Sequence, residues 1–358
     1  MISQQKTLNV GVVGIGRMGQ RHAINIQRLV PRANLLCACS PAEVDLVWAR
    51  EHLIPHGVKV FSSFEEMIET PGLEAVIVAS STELHMQHTL AALDRGIHVL
   101  CEKPVCRSIS ELNALCERVD ANPKTKVMVA FCRRFDESYQ DAYEKVQAGV
   151  IGKPFIFRSH GCEKLDDSPF FRQYLRNSGG IYFDSAIHDI DLSLMFLGEN
   201  STPKSVSATG TTSFFTQLAE AGDADNAVGV CEFWDGKIAH FYHSRTFAHG
   251  YDNATEIIGT SGKLSINMTP RRNRVEICDS AGVKTEPTPS WYDRYISAFV
   301  IEANAWVEAI LDEKPMPIPL RSVVTSLVIA KALQESLKTG QRIEFTREGQ
   351  RKVVTSNL

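Results

Sequence analysis

Asp184, His188 and Asp191 stand four and three residues apart in the run Gly179-Gly180-Ile181-Tyr182-Phe183-Asp184-Ser185-Ala186-Ile187-His188-Asp189-Ile190-Asp191. On a helix this i, i+4, i+7 spacing brings all three to one face. A carboxylate beside an imidazole orients the ring and stabilises its charged form, which suits the removal of a hydroxyl proton. Two plainer readings stay open, a solvated polar stripe and a set of metal ligands. No Cys/His motif accompanies the three to complete a metal site.

Glu102-Lys103-Pro104 follows an expected strand, at the end of the sheet where open α/β folds bind ligands. A Lys there can hydrogen-bond a substrate hydroxyl; a solvated surface Lys is the plainer alternative. Gly14-Ile15-Gly16-Arg17-Met18-Gly19 is a G-x-G-x-x-G run that leaves the first strand and opens a helix. Gly14 permits the tight turn, Gly16 lets backbone N–H groups approach a pyrophosphate, and Gly19 allows helix and strand to pack closely. The helix N-terminus adds donors and partial positive charge, so the run predicts a dinucleotide, NAD or NADP. Ser80 and Ser81, after the fourth strand, are further candidate contacts, as are Glu102 and Lys103. The second strand ends Cys39-Ser40-Pro41, with no Asp or Glu for a ribose 2′-hydroxyl and no adjacent Arg for a 2′-phosphate. Ser40 can bond either cofactor. Lacking the acid, the site is expected to accept NADP at least as well as NAD.

These groups need elements to hold them. The first ~130 residues alternate apolar strands with helical patterns, as βαβ units do. Strands are predicted at Leu8–Val13, Asn34–Cys39, Val58–Phe61, Ala75–Ala79, His98–Cys101 and Val127–Phe131. Ser62 with Glu65 and Ser108 with Glu111 have capping-box spacing, Thr82 is a candidate N-cap, and Gly96 and Gly149 suit helix ends. Beyond about residue 150, seven strand-like runs follow with little helix between them. Asp235-Gly236 predicts a type I′ hairpin there. Helices are expected over Asp184–Leu197, Tyr292–Leu311 and Ser322–Lys338, the last two separated by the proline-rich run 314–319. The fold class is therefore α/β. An N-terminal Rossmann domain with a parallel sheet, residues 1–131, precedes an α+β domain, residues 132–358, with an open, mostly antiparallel or mixed sheet.

With 358 residues, 44% hydrophobic, the chain can build two cores. A net charge of -4 without basic blocks gives no footprint for nucleic acid or an anionic membrane. No apolar run reaches membrane-spanning length, and Met1–Thr7 leaves no room for a signal peptide, so a cytoplasmic location is expected. The nine cysteines are scattered, none in a C-x-x-C, and read as small core hydrophobes rather than metal ligands or disulfides.

The Gly14 fingerprint, Glu102-Lys103-Pro104 and Gly179-Gly180-x-x-x-Asp184-x-x-x-His188 together resemble the Gfo/Idh/MocA oxidoreductase family over nearly the whole chain. Within it, Phe131-Cys132-Arg133-Arg134-Phe135-Asp136 and Gly250-Tyr251-Asp252 before Glu256-Ile257-Ile258-Gly259 are similar to segments of inositol 2-dehydrogenases. The resemblance implies Lys103, Asp184 and His188 as the catalytic set, Arg133 and Tyr251 as further substrate contacts, and His85 near the cofactor. It implies hydride transfer between NAD(P) and a secondary alcohol of a cyclic polyol or sugar, and a homodimer or homotetramer joined through the uncovered sheet face. A sugar 1-dehydrogenase, a dihydrodiol dehydrogenase or a catalytically silent NAD(P)-binding regulator are the rival readings. Ser40-Pro41 departs from the family's NAD-using members, which carry Asp there, and the segment Cys162–Asp167 also departs.

Overall fold

The computed structural model describes Lys6–Lys352. The chain forms two compact units: one runs to Phe135 and takes in Ser297–Val324, the other holds Asp136–Ile296 and the residues from Thr325 onward.

In the first unit, β1 (Leu8–Val13), β2 (Ala33–Cys39), β3 (Lys59–Phe61), β4 (Ala75–Val78), β5 (His98–Glu102) and β6 (Val127–Ala130) form a parallel sheet in the order β3-β2-β1-β4-β5-β6. The order reverses between β1 and β4, the switch point at which such sheets open a ligand crevice beyond the carboxyl ends of the strands. The apolar runs have a physical cause: all four residues of β4 are 0% exposed, as strands covered on both faces must be. Cys37 and Cys39 are buried in β2, and burial pushes their thiols up to about 11 and about 12, which leaves them unreactive.

Helix starts differ from the sequence reading by one residue in two places. Ser63, not Ser62, caps its helix by accepting from Glu66 N, and Ser81, not Thr82, precedes the helix Thr82–Asp94. Ser108 accepts from Glu111 N as predicted, and Gly96 and Gly149 adopt positive φ. The helix Trp291–Leu311 is interrupted at Tyr295 (φ -116°, ψ 17°), and from Ser297 it belongs to the first unit. There Lys126 Nζ donates to Ala309 O at 2.5 Å, and Arg32 Nη2 meets Asp312 Oδ1 at 2.7 Å. A single cut after residue 131 misses this return. An amphipathic stripe tells that a helix is buried, not which sheet it covers.

In the second unit, β7 (Pro154–Lys164), β8 (Pro203–Thr211), β9 (Asn226–Phe233), β10 (Ile238–Phe247), β11 (Asp252–Gly259) and β12 (Gly262–Ile266) precede a small hairpin of β13 (Glu276–Asp279) and β14 (Gly282–Thr285) and a short β15 (Ile343–Glu344). The mixed sheet runs β12-β11-β7-β10-β9-β8-β15, with β7 and β10 parallel and the other described neighbours antiparallel. The helix Ile187–Leu197 covers one face, where Phe196 stacks on Phe157 at 6.1 Å between centroids. The opposite face carries Ile258, Ile156 and Ile238 in one cross-strand row, and Tyr242 beside Val228.

The β9–β10 turn is a correction. Gly236 N donates to Phe233 O, Phe233 N donates to Lys237 O, and only Gly236 of the loop has positive φ (85°). That is a three-residue loop with glycine in the left-handed position, whereas type I′ needs two such residues. Among the described residues no helix is long and apolar enough to cross a membrane.

Candidate active site

The glycine fingerprint folds as its residue types demand. Gly14 has φ +83°, and a Cβ there would lie 2.6 Å from the Ser80 backbone; at Gly19 it would lie 1.7 Å from Gly14 O. Gly16 differs: nothing stands within 4 Å of its missing Cβ, and it caps the helix Arg17–Leu29 without a side-chain hydrogen bond. The first-turn N–H groups therefore face open space that only glycine leaves clear, a cradle that fits a pyrophosphate. Arg17 and Met18 begin that helix, and Ile15 is buried beneath the turn.

Across the switch point, β5 ends at Glu102 and the chain turns through a cis Lys103–Pro104 bond. Both Glu102 oxygens are engaged: His22 Nε2 lies 2.8 Å from Oε1, and Lys103 N donates to Oε2 at 3.2 Å. Burial alone would raise the Glu102 pKa, but the His22 hydrogen bond and the charges of His22, Lys103 and His85 outweigh it and hold it below the usual range. Glu102 thus anchors the Lys103 backbone from beneath. His85, buried, sets Nδ1 2.9 Å from Pro104 O and Nε2 3.0 Å from Ser80 O, tying this loop to the one after β4. Ser80 Oγ pairs with His88 Nδ1 at 3.0 Å. Arg133 is buried in the turn Cys132–Phe135 that follows β6.

In the second unit, the single helix expected from Asp184 to Leu197 is divided. A short turn Ile181–Asp184 ends at Ser185, Ala186 N donates back to Ile181 O, and the helix proper runs Ile187–Leu197. Gly180 makes the entry possible, since it has φ +109° and a Cβ would strike Gln334 at 2.3 Å. The reading of Asp184, His188 and Asp191 as a solvated stripe does not survive: Asp191 is 1% exposed, and Asp184 and His188 are half-buried. Asp189 Oδ2 lies 3.2 Å from His243 Nε2, both buried.

Asp184 is gripped from two sides. Tyr174 Oη donates to Oδ1 at 2.5 Å, and Arg245 Nη2 lies 3.5 Å from Oδ2. Arg245 is itself 0% exposed, and its Nη1 donates to Asp223 Oδ2 at 2.8 Å and Ala224 O at 3.2 Å. Burial would lower its pKa, but the Asp223 and Asp184 charges prevail and raise it. Tyr174 packs on the cluster of Phe171, Leu175, Phe215 and Leu218. Tyr251 forms an isolated bridge with Thr288, its ring edge-on to Tyr295.

Sequence reasoning missed His22, Tyr174, Asp223 and Arg245. A signal existed for Arg245. Ala239, Phe241, His243 and Arg245 share one parity of β10, so two polar residues stand on its buried face. Lys103 and Arg133 are placed in the first unit, and Asp184, His188 and Tyr251 in the second.

Residues 8–131 match the oxidoreductase family with an NAD-binding Rossmann fold, and residues 139–265 match the GFO/IDH/MocA C-terminal domain. The chain is 31% identical over 337 residues to scyllo-inositol 2-dehydrogenase (NAD(+)) of Bacillus subtilis, covering 93% of this chain and 95% of that protein. It is 29% identical to the myo-inositol 2-dehydrogenase of Thermotoga maritima, over 94% and 98% of the two chains. The crystal structure of scyllo-inositol dehydrogenase from Lactobacillus casei with bound NAD(H) and scyllo-inositol is similar with a TM-score of 0.89 at 32% identity, over 95% and 99% of the two chains.

Proposed function

The chain belongs to the Gfo/Idh/MocA family of NAD-binding oxidoreductases, and from that premise we propose that it oxidises a secondary alcohol of a cyclic polyol, an inositol first among them. Bound NAD would supply the hydride acceptor. In this reading His188 takes the hydroxyl proton, Lys103 polarises the same oxygen, and Asp184 holds the imidazole in its charged form. The Tyr174 and Arg245 contacts support the part given to Asp184, because two donors fix the position of its carboxylate.

The observation that carries the substrate class is the likeness, over nearly the whole chain, to a dehydrogenase holding NAD(H) and scyllo-inositol. The polar set supports it. Lys103, Arg133, Asp184, His188 and Tyr251 offer donors and acceptors that a polyhydroxylated ring can match, whereas an alkyl alcohol leaves several unpaired at about 1–3 kcal/mol each. The test is a steady-state panel of inositols and aldopyranoses against NAD and NADP. Turnover of an inositol is expected; inert inositols beside rapid turnover of a hydroxy acid or an aromatic diol overturn the reading. We further propose that the apolar outer face of the β7–β12 sheet joins copies of the chain into a homodimer or homotetramer in the cytoplasm.

A further inference from the structure

We propose that Asp45 is the residue that selects NAD over NADP, supplying from the helix Glu43–His52 the carboxylate that the end of β2 lacks. The inference rests on the dinucleotide site of the first unit and not on the polyol substrate.

The glycine turn sits directly on the end of β2, since Gly14 N donates to Cys39 O at 2.8 Å. Ser40 comes next, 3% exposed, its backbone N–H held by Phe61 O of β3 at 3.2 Å. Its hydroxyl proton is already committed: Oγ donates to Asp45 Oδ2 at 2.6 Å and accepts from Ala42 N at 3.3 Å. Pro41 adds no N–H. What this edge of the site offers to the adenosine ribose is therefore a hydroxyl oxygen without a spare proton and a carboxylate. Asp45 Oδ1 takes no hydrogen bond among the described residues.

A ribose 2′-hydroxyl can donate to such a pair. A 2′-phosphate, ionised at neutral pH, has only acceptors to present and carries charge of the same sign. The negative charge is local to Asp45. The other acid of this first turn, Glu43, is paired with Arg50 at 2.7 Å, while Asp45 has no cationic partner among the described residues. An acid in a first helical turn also favours the helix, so the experiment must separate that structural part from a part in selection. Arg17, which opens the first helix, is the cation that would favour a 2′-phosphate instead.

Binding is measured on the whole chain without substrate, by titrating NADH and NADPH separately and following calorimetry or nicotinamide fluorescence, so a wrong polyol assignment leaves the result untouched. Wild-type protein is expected to bind NADH at least ~30-fold more tightly than NADPH. Asp45→Asn should narrow that ratio at least ~5-fold, mainly by strengthening NADPH, with a melting temperature near that of wild type; Asp45→Ser serves if the first variant does not fold. Equal wild-type affinities overturn the proposal and give the phosphate to Arg17. A strong NADH preference that survives unchanged in the Asp45 variants also overturns it, leaving Asp45 a helix-start charge only.

Discussion

Arg245 reaches Asp184 with Nη2 3.5 Å from Oδ2, while its other terminal nitrogen holds Asp223 at 2.8 Å. One fully buried guanidinium thus spans two carboxylates on different segments of the second unit. Removing one partner of such a group leaves the others charged and dry, at about 3–5 kcal/mol. Arg245→Met should therefore lower the melting temperature by roughly 5 °C or more, and Arg245→Lys by less, since an ammonium keeps the charge but not the fork. Melting of Arg245→Met within 2 °C of wild type would count against the pairing.

His188→Ala and Lys103→Ala should each lower kcat at least ~100-fold, the usual weight of a general base or a polarising donor. NADH affinity should persist in both, because the proposed pyrophosphate cradle is backbone at Gly14–Gly19. Near-normal turnover in His188→Ala sinks the mechanism, and near-normal turnover in Lys103→Ala removes that residue from the chemistry.

The parallel sheet was legible because helical and strand periods alternate, and because runs such as Ala75–Val78 suit only strands covered on both faces. The glycine fingerprint was legible because Gly14 and Gly19 each answer a local backbone demand, while Gly16 leaves the helix start clear. Contacts that depend on where a turn returns were not. Asp45 lies five residues from Ser40, and nothing in their spacing tells that the chain doubles back at Ala42 to join them. Asp235-Gly236 fits either hairpin type, so its sequence could not fix the loop length. The Asp184 spacing suggested one helix face, yet Ser185 and Ala186 interrupt the hydrogen-bond ladder between Asp184 and His188. Glu302 shows the limit most sharply, a charged residue type placed where no charge can be solvated.

Glu302 is 0% exposed, and neither carboxyl oxygen has a hydrogen-bond partner among the described residues. Burial first, and the nearby Glu102 charge second, push its pKa well above the ordinary 4.5. The folded chain therefore keeps a proton that the unfolded chain releases above about pH 4.5. With more protons bound in the native state, this group's contribution is fully present below that pH and is lost as pH rises toward the folded value. Glu302→Gln has no such proton, so its melting temperature should gain on wild type steadily as pH rises from about 5 into the alkaline range. A difference that stays flat across that range shows Glu302 already ionised in the fold.

The last prediction concerns assembly. On the outer sheet face Ile258, Ile156 and Ile238 form one row across three strands, and Ile238 and Val228 remain 37% and 36% exposed in the single chain. Apolar rows of this kind on a half-covered sheet are commonly covered by a second copy, and a two-fold contact would bring each row against its own image. A charge placed there meets the same charge on the partner, doubling its effect at the seam. Light scattering at micromolar concentration should give a dimer or tetramer of the 39.8 kDa chain. Ile238→Asp with Val228→Asp should shift it toward the monomer while leaving NADH binding unchanged, since both residues lie outside the nucleotide-binding unit. A wild-type mass near 39.8 kDa rejects the assembly, and a variant that keeps the wild-type oligomer moves the interface to another surface.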